Sequence, residues 1–259
     1  MIPAWLSVGA AALFGLIMGS AVTAIAWRVP RGISWLSGRS ACPSCHAALD
    51  ALDLIPVLSF AFSRGRCRHC GARIARRYPI TELWCAAWAV AVVLRFGITP
   101  PTPFLALWGF LLIALTWIDY DFKLLPDALT FPGTLIGLAA AWLTPGGIQR
   151  SLFGLLVGAG GLWLVAWAYL RVRKIEGMGG GDIKLAAMFG VVLGAPLTLL
   201  TLFLAAAAGS LWGGILIWRG GGHARTELPF GTLLAPAAMI SLIWGEGWVQ
   251  AYLALMHRH

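Results

Sequence analysis

The chain has 259 residues, of which 59% are hydrophobic and only 11% charged, and its mean hydropathy is +0.82. A water-soluble globule of this length needs far more polar surface, so the composition leaves a polytopic membrane protein, expected to be all-α from its long apolar runs. The formal charge of +9 would ordinarily suggest a nucleic-acid partner; here the basic residues hug the ends of apolar runs, so the charge reads as a topology signal and no nucleic acid is expected.

At roughly 20 residues per crossing, the apolar runs predict about eight transmembrane helices. The first covers residues 5–27 and no cleavable leader is expected, because apolar runs recur to the C-terminus. Residues 28–80 form a polar loop carrying Arg28, Arg31, Arg39, Arg64, Arg66, Arg68, Arg73, Arg76 and Arg77 against Asp50 and Asp53. The positive-inside rule makes this loop cytoplasmic. The later spans fall at 81–97, 104–119, 128–143, 151–170, 183–194, 196–218 and 229–255, with a tight turn or a broken helix at Gly194-Ala195-Pro196. Threading them returns Lys123, the Arg171-Arg173-Lys174 cluster and the Arg219 to Arg225 loop to the cytoplasmic side. Three regions follow: 1–27, a first membrane helix; 28–80, a cytoplasmic metal-binding domain; and 81–259, the membrane core. No internal repeat is visible.

The loop holds the sharpest spacing in the chain, Cys42-Pro43-Ser44-Cys45 and Cys67-Arg68-His69-Cys70. Two CxxC knuckles let four thiolates converge on one zinc ion. A reducing compartment argues against disulfides. The run CPSCH also fits a c-type haem attachment site, which would leave the second knuckle unexplained. His46 and His69 are read as bystanders, and Cys85 as a buried apolar residue of the second span. A shell of four thiolates is closed, so the zinc is structural and clips a loop with little core of its own. The apolar piece from Leu54 to Phe60 is expected to pack on the membrane surface.

The chemistry rests with the acids, of which there are ten. Asp119, Asp121, Asp127 and Asp182 fall at cytoplasmic span ends, where an ionisable group is costly and is a functional hypothesis by default. Asp127, after Pro126 and ahead of an apolar span, is read as an ordinary helix start. Asp182 follows Gly179-Gly180-Gly181, whose backbone freedom suits the close approach of a substrate strand. An aspartate that hydrolyses amides needs a second carboxyl of opposite protonation state. Asp119 ends Thr116-Trp117-Ile118-Asp119, where the pattern is still helical and apolar, and Asp121 lies on another face. The expected pair is Asp119 with Asp182.

GxGD, here Gly179-Gly180-Gly181-Asp182, marks intramembrane aspartyl proteases. CPSC, IPVLSF, RGRCRHCGARIARRYPITE, IDYDFKLLPDALTFP and EGMGGGDIKL, in that order over residues 42–185, closely resemble the bacterial type IV prepilin peptidase family. One departure is Leu54, where many members have Asn before the Ile-Pro. The resemblance implies a bifunctional enzyme of the inner membrane, its active site facing the cytoplasm. Such an enzyme cleaves the basic leader from type IV prepilins and pseudopilins, commonly between Gly and Phe. It then methylates the new N-terminus with S-adenosylmethionine. Carried over by motif, Asp119 and Asp182 are catalytic, with Gly179, Gly181 and Lys184 in support, and the four cysteines bind zinc. The methyl-transfer site must be built from the loop and span ends, since no glycine-rich turn after a strand exists. Glu82 either holds a cationic amine or sulfonium there or pairs with a neighbouring arginine. Glu176 or Asp121 is a candidate to attract the leader.

Two other classes compete: a proton-coupled transporter using the aspartates as a relay, and a noncatalytic assembly factor docking through its zinc domain. The tryptophans, among them Trp27, Trp35, Trp117, Trp142 and Trp218, read as interface anchors. Gly154, Gly158 and Gly161 read as sites of close helix contact, and His257-Arg258-His259 as an exposed tail.

Overall fold

The computed structural model describes residues 3–34, 40–144, 146–175, 178–219 and 229–256. Trp35, Arg39, Glu176, most of the loop from Arg219 to Arg225 and the tail His257 to His259 lie outside the described residues. Within them the protein is all-α, without a β-strand, and divides into two compact units, Met1–Thr102 and Pro103–His259.

In the first unit α1, Ala4–Arg28, packs along α3, Arg77–Phe96. Gly15 lies on the Cys85–Ala86 backbone and Gly19 on that of Glu82, so one glycine-lined stripe lets the two helices approach closely. Cys85 is fully buried beneath them. Between these helices lie the two knuckles, a 3₁₀ turn Ala51–Leu54 and a short helix α2, Leu58–Phe62. Leu52, Leu58 and Phe62 are exposed, leaving the apolar piece of the loop uncovered by the protein itself.

The second unit contains α4, Thr102–Phe122, whose Trp108, Leu112, Ile113, Leu115 and Ile118 are fully buried. It is followed by α5, Asp127–Trp142; α6, Gly147–Leu155; a π-helical turn, Leu156–Gly160; α7, Gly161–Arg173; α8, Gly180–Trp218; and α9, Gly231–Met256. The first half of α8 is the hub. Met188 and Val191 meet Gly133 and Gly137 of α5, Gly190 meets Gly154 of α6, Ala186 meets Gly158, and the Trp108 indole N–H donates to the Met188 carbonyl at 3.1 Å. A side chain added at Gly161 meets nothing within 4 Å, so it makes none of the close contact that Gly154 and Gly158 make.

Six described helices are long and apolar enough to cross a membrane: Ala4–Arg31, Arg77–Phe96, Thr102–Phe122, Gly147–Arg173, Gly180–Trp218 and Gly231–Met256. The expected fourth span is α5, only 16 residues long. The expected sixth and seventh form one run interrupted at Gly194, whose φ of 71° and ψ of 173° are non-helical. Pro196 withholds an N–H there, and the Arg150 guanidinium donates to the Leu193 carbonyl that the break leaves open, at 3.0 and 3.2 Å.

Candidate active site and metal centre

The two knuckles are copies of one turn. In the first, the Cys42 N–H donates to the Ala47 carbonyl at 2.9 Å and the His46 N–H to Cys42; in the second, the Cys67 N–H donates to Ala72 at 2.8 Å and the Gly71 N–H to Cys67. Antiparallel bridges Ala41–Ala48 and Arg66–Arg73 close them identically. The chain therefore does hold a short structural repeat, hidden in the sequence because only the cysteines and Ala47/Ala72 match. His46 and Gly71 fill the same left-handed position, at φ of 58° and 71°. All four sulfurs lie within 4.8 Å of one another, and those of Cys42 and Cys70 are 3.9 Å apart. Zn–S bonds of about 2.3 Å in a tetrahedron place sulfurs about 3.8 Å apart, so the donor set fits zinc, with neither histidine in it.

N–H groups of Cys45 and Ser44 pull the Cys42 thiol down to about 6. Cys70 is carried up to about 11: its bond from the Ala72 N–H lowers it, and hydrogen bonds with the other cysteines together with burial outweigh that. Cys42 and Cys70 thus hold their protons unequally, and a bound cation would displace them. Arg68 of the second knuckle pairs with Asp53 of the intervening loop at 3.0 Å, and Asp50 and Asp53 cap the 3₁₀ turn.

Glu82 is 8% exposed and its Oε2 accepts the Val57 N–H at 2.7 Å. Val57 has φ of 60° and ψ of −45°, and the Leu58 N–H closes on the Pro56 carbonyl at 2.6 Å. This is the strained form of the γ-turn. Of the two expectations for Glu82, neither describes this contact: the carboxylate anchors the loop backbone.

In the second unit the acids sort by environment. Asp119, in the last turn of α4, is 5% exposed, while Asp121 is exposed. The Asp119 Oδ2 accepts the Thr232 N–H at 2.6 Å and the Thr232 hydroxyl at 3.0 Å. Asp182 is half-buried in the first turn of α8. Leu125 joins the two neighbourhoods, touching Gly181 on one side and Gly231, which lies against Asp119, on the other. Gly179 caps α8 in extended conformation with its carbonyl accepting the Asp182 N–H at 3.2 Å. A side chain added at Gly179 or Gly180 meets no described residue within 4 Å, so that flank is open among the described residues.

Lys184 is not drawn to the pair. Its Nζ donates to Asp127 at 2.6 Å and lies 6.0 Å from the Phe131 ring. Both partners are about half exposed, so the contact ties α5 to α8 for little energy. Asp127 is the first residue of α5, as expected of a helix start. Thr232 and Gly231 escaped sequence reading because Gly-Thr ahead of an apolar run is an ordinary helix opening.

Residues 13–96 match the bacterial peptidase A24 N-terminal domain and residues 105–214 the type IV leader peptidase family. The chain is 34% identical over 272 residues to a prepilin leader peptidase/N-methyltransferase of Burkholderia pseudomallei (strain K96243), covering 94% of this chain and 87% of the relative. It is 39% identical over 219 residues to the protein of that name from Aeromonas hydrophila, covering 83% and 74%. With the one from Bacillus subtilis (strain 168) it shares 33% over 247 residues, covering 94% and 96%. No solved structure matches.

Proposed function

The chain belongs to the type IV leader peptidase family, and from that premise we propose that Asp119 and Asp182 make it a membrane-embedded aspartic endopeptidase. It removes the basic leader from type IV prepilins and pseudopilins at the cytoplasmic face of the inner membrane. It then methylates the exposed N-terminus with S-adenosylmethionine. The observation that supports the reading is that Gly181, next to Asp182, and Gly231, which lies against Asp119, both stand against Leu125, so the end of α4 and the start of α8 share one neighbourhood.

Two acids in one low-dielectric place do not both ionise. One takes a proton from water as the oxygen attacks the scissile carbonyl; the other, protonated, hydrogen-bonds the carbonyl oxygen and stabilises the charge that develops on it. Collapse of the tetrahedral intermediate expels the amine, which leaves with the proton gained in the first step. The open flank beside Gly179 and Gly180 gives an extended substrate backbone room to present its carbonyl, where a helical amide would be shielded by its own hydrogen bonds.

For the second step, the new amine attacks the sulfonium methyl group, releasing the thioether and a proton. In the loop, Cys42, Cys45, Cys67 and Cys70 would hold the zinc ion that clips it, and Glu82 pins it to α3 through Val57. A closed sulfur shell would leave no ligand position for a reacting group, so the metal would supply architecture.

The test is co-expression with a prepilin. Asp119→Ala and Asp182→Ala, inserted at parental levels, each abolish leader loss. Intact processing in either variant overturns the peptidase mechanism and favours a docking module.

A further inference from the structure

We infer that Thr232, at the start of α9, is the positioning residue that selects which Asp119 oxygen reacts. This rests on the assignment of Asp119 to the catalytic pair. The family match ends at residue 214, so α9 lies beyond it.

The first N–H groups of a helix have no acceptor within it. In α9, Gly231–Met256, the Thr232 N–H points at the Asp119 Oδ2 at 2.6 Å. The hydroxyl of the same residue lies 3.0 Å from that oxygen and 3.5 Å from the Thr116 carbonyl. A hydroxyl has one proton to donate, and the shorter contact takes it. Gly231 makes the approach feasible: a Cβ there would stand 3.0 Å from both the Cγ and the Oδ2 of Asp119. With two donors converging on Oδ2, the carboxyl plane is fixed and Oδ1 is left for water or the scissile carbonyl. The C-terminal helix is therefore part of the active site, and a merely structural α9 would not need both donors on one oxygen.

The experiment uses the full-length enzyme in detergent and a synthetic prepilin with a basic leader, a Gly–Phe junction and an apolar helix. Thr232→Val keeps the shape and the N–H and removes the hydroxyl; its kcat falls about tenfold with KM unchanged. Thr232→Ser restores kcat to within about twofold of the parent, as a returned donor predicts. Gly231→Ala displaces the carboxyl and lowers kcat in the same way. All variants are required to unfold at the parental temperature. A Thr232→Val enzyme of parental kcat, or a Thr232→Ser enzyme as slow as Thr232→Val, overturns the inference. Asp119→Asn separates the two levels. If it is inactive while Thr232→Val is unimpaired, only the role of Thr232 falls; if it cleaves normally, the catalytic pair falls with it.

Discussion

Glu82 illustrates how little a residue type says about its task. An acid at a span edge suggested a cation partner; instead its carboxylate holds a backbone N–H in a strained turn of the zinc loop. Removing it strands that donor, at a cost of about 1–3 kcal/mol. Glu82→Ala is therefore expected to speed proteolysis of the loop at its arginines and to lower N-methylation, leaving leader cleavage intact. Glu82→Gln, which keeps an acceptor oxygen, should be milder. Mass spectrometry of the processed pilin reads both steps at once. His46 offers the opposite sign. It occupies the left-handed position that glycine fills in the second knuckle, where a side chain costs about 1 kcal/mol. His46→Gly should stabilise the metal-loaded loop by that order, measured as a higher midpoint of metal loss during denaturation.

Among the elements, the knuckle pair and α8 show where local spacing suffices and where it does not. Two CxxC turns with identical hydrogen bonding bring four sulfurs to zinc distance. The loop between them has few buried side chains, so its stability is expected to be metal-linked. Chelation, or Cys42→Ser, should expose Arg64 to Arg68 to trypsin while the membrane helices stay folded by circular dichroism. In α8 the break at Gly194 combines positive φ with extended ψ, a region essentially confined to glycine. Its missing Cβ would also meet the Arg150 side chain. Gly194→Ala is expected to cost about 1–3 kcal/mol, seen as a lower unfolding temperature in detergent.

At the scale of the whole molecule, the arginine bias predicts that the zinc loop faces the cytoplasm. A membrane-impermeant thiol reagent should label Cys45, which is exposed, in metal-stripped inverted vesicles and not in intact cells. Composition, apolar runs and cysteine spacing were sufficient for the all-α fold class and for the convergence of the four cysteines, because each depends on neighbours within a turn or a loop. That Asp119 turns inward and Asp121 outward was also legible, since two residues apart on one helix they lie on different faces. What awaited the tertiary structure was the surroundings of those groups. Val57 reaches Glu82 across 25 residues and Thr232 reaches Asp119 across 113. Such contacts arise from the packing of segments remote in the chain, and no local pattern of residues encodes which donor that packing will deliver to which oxygen.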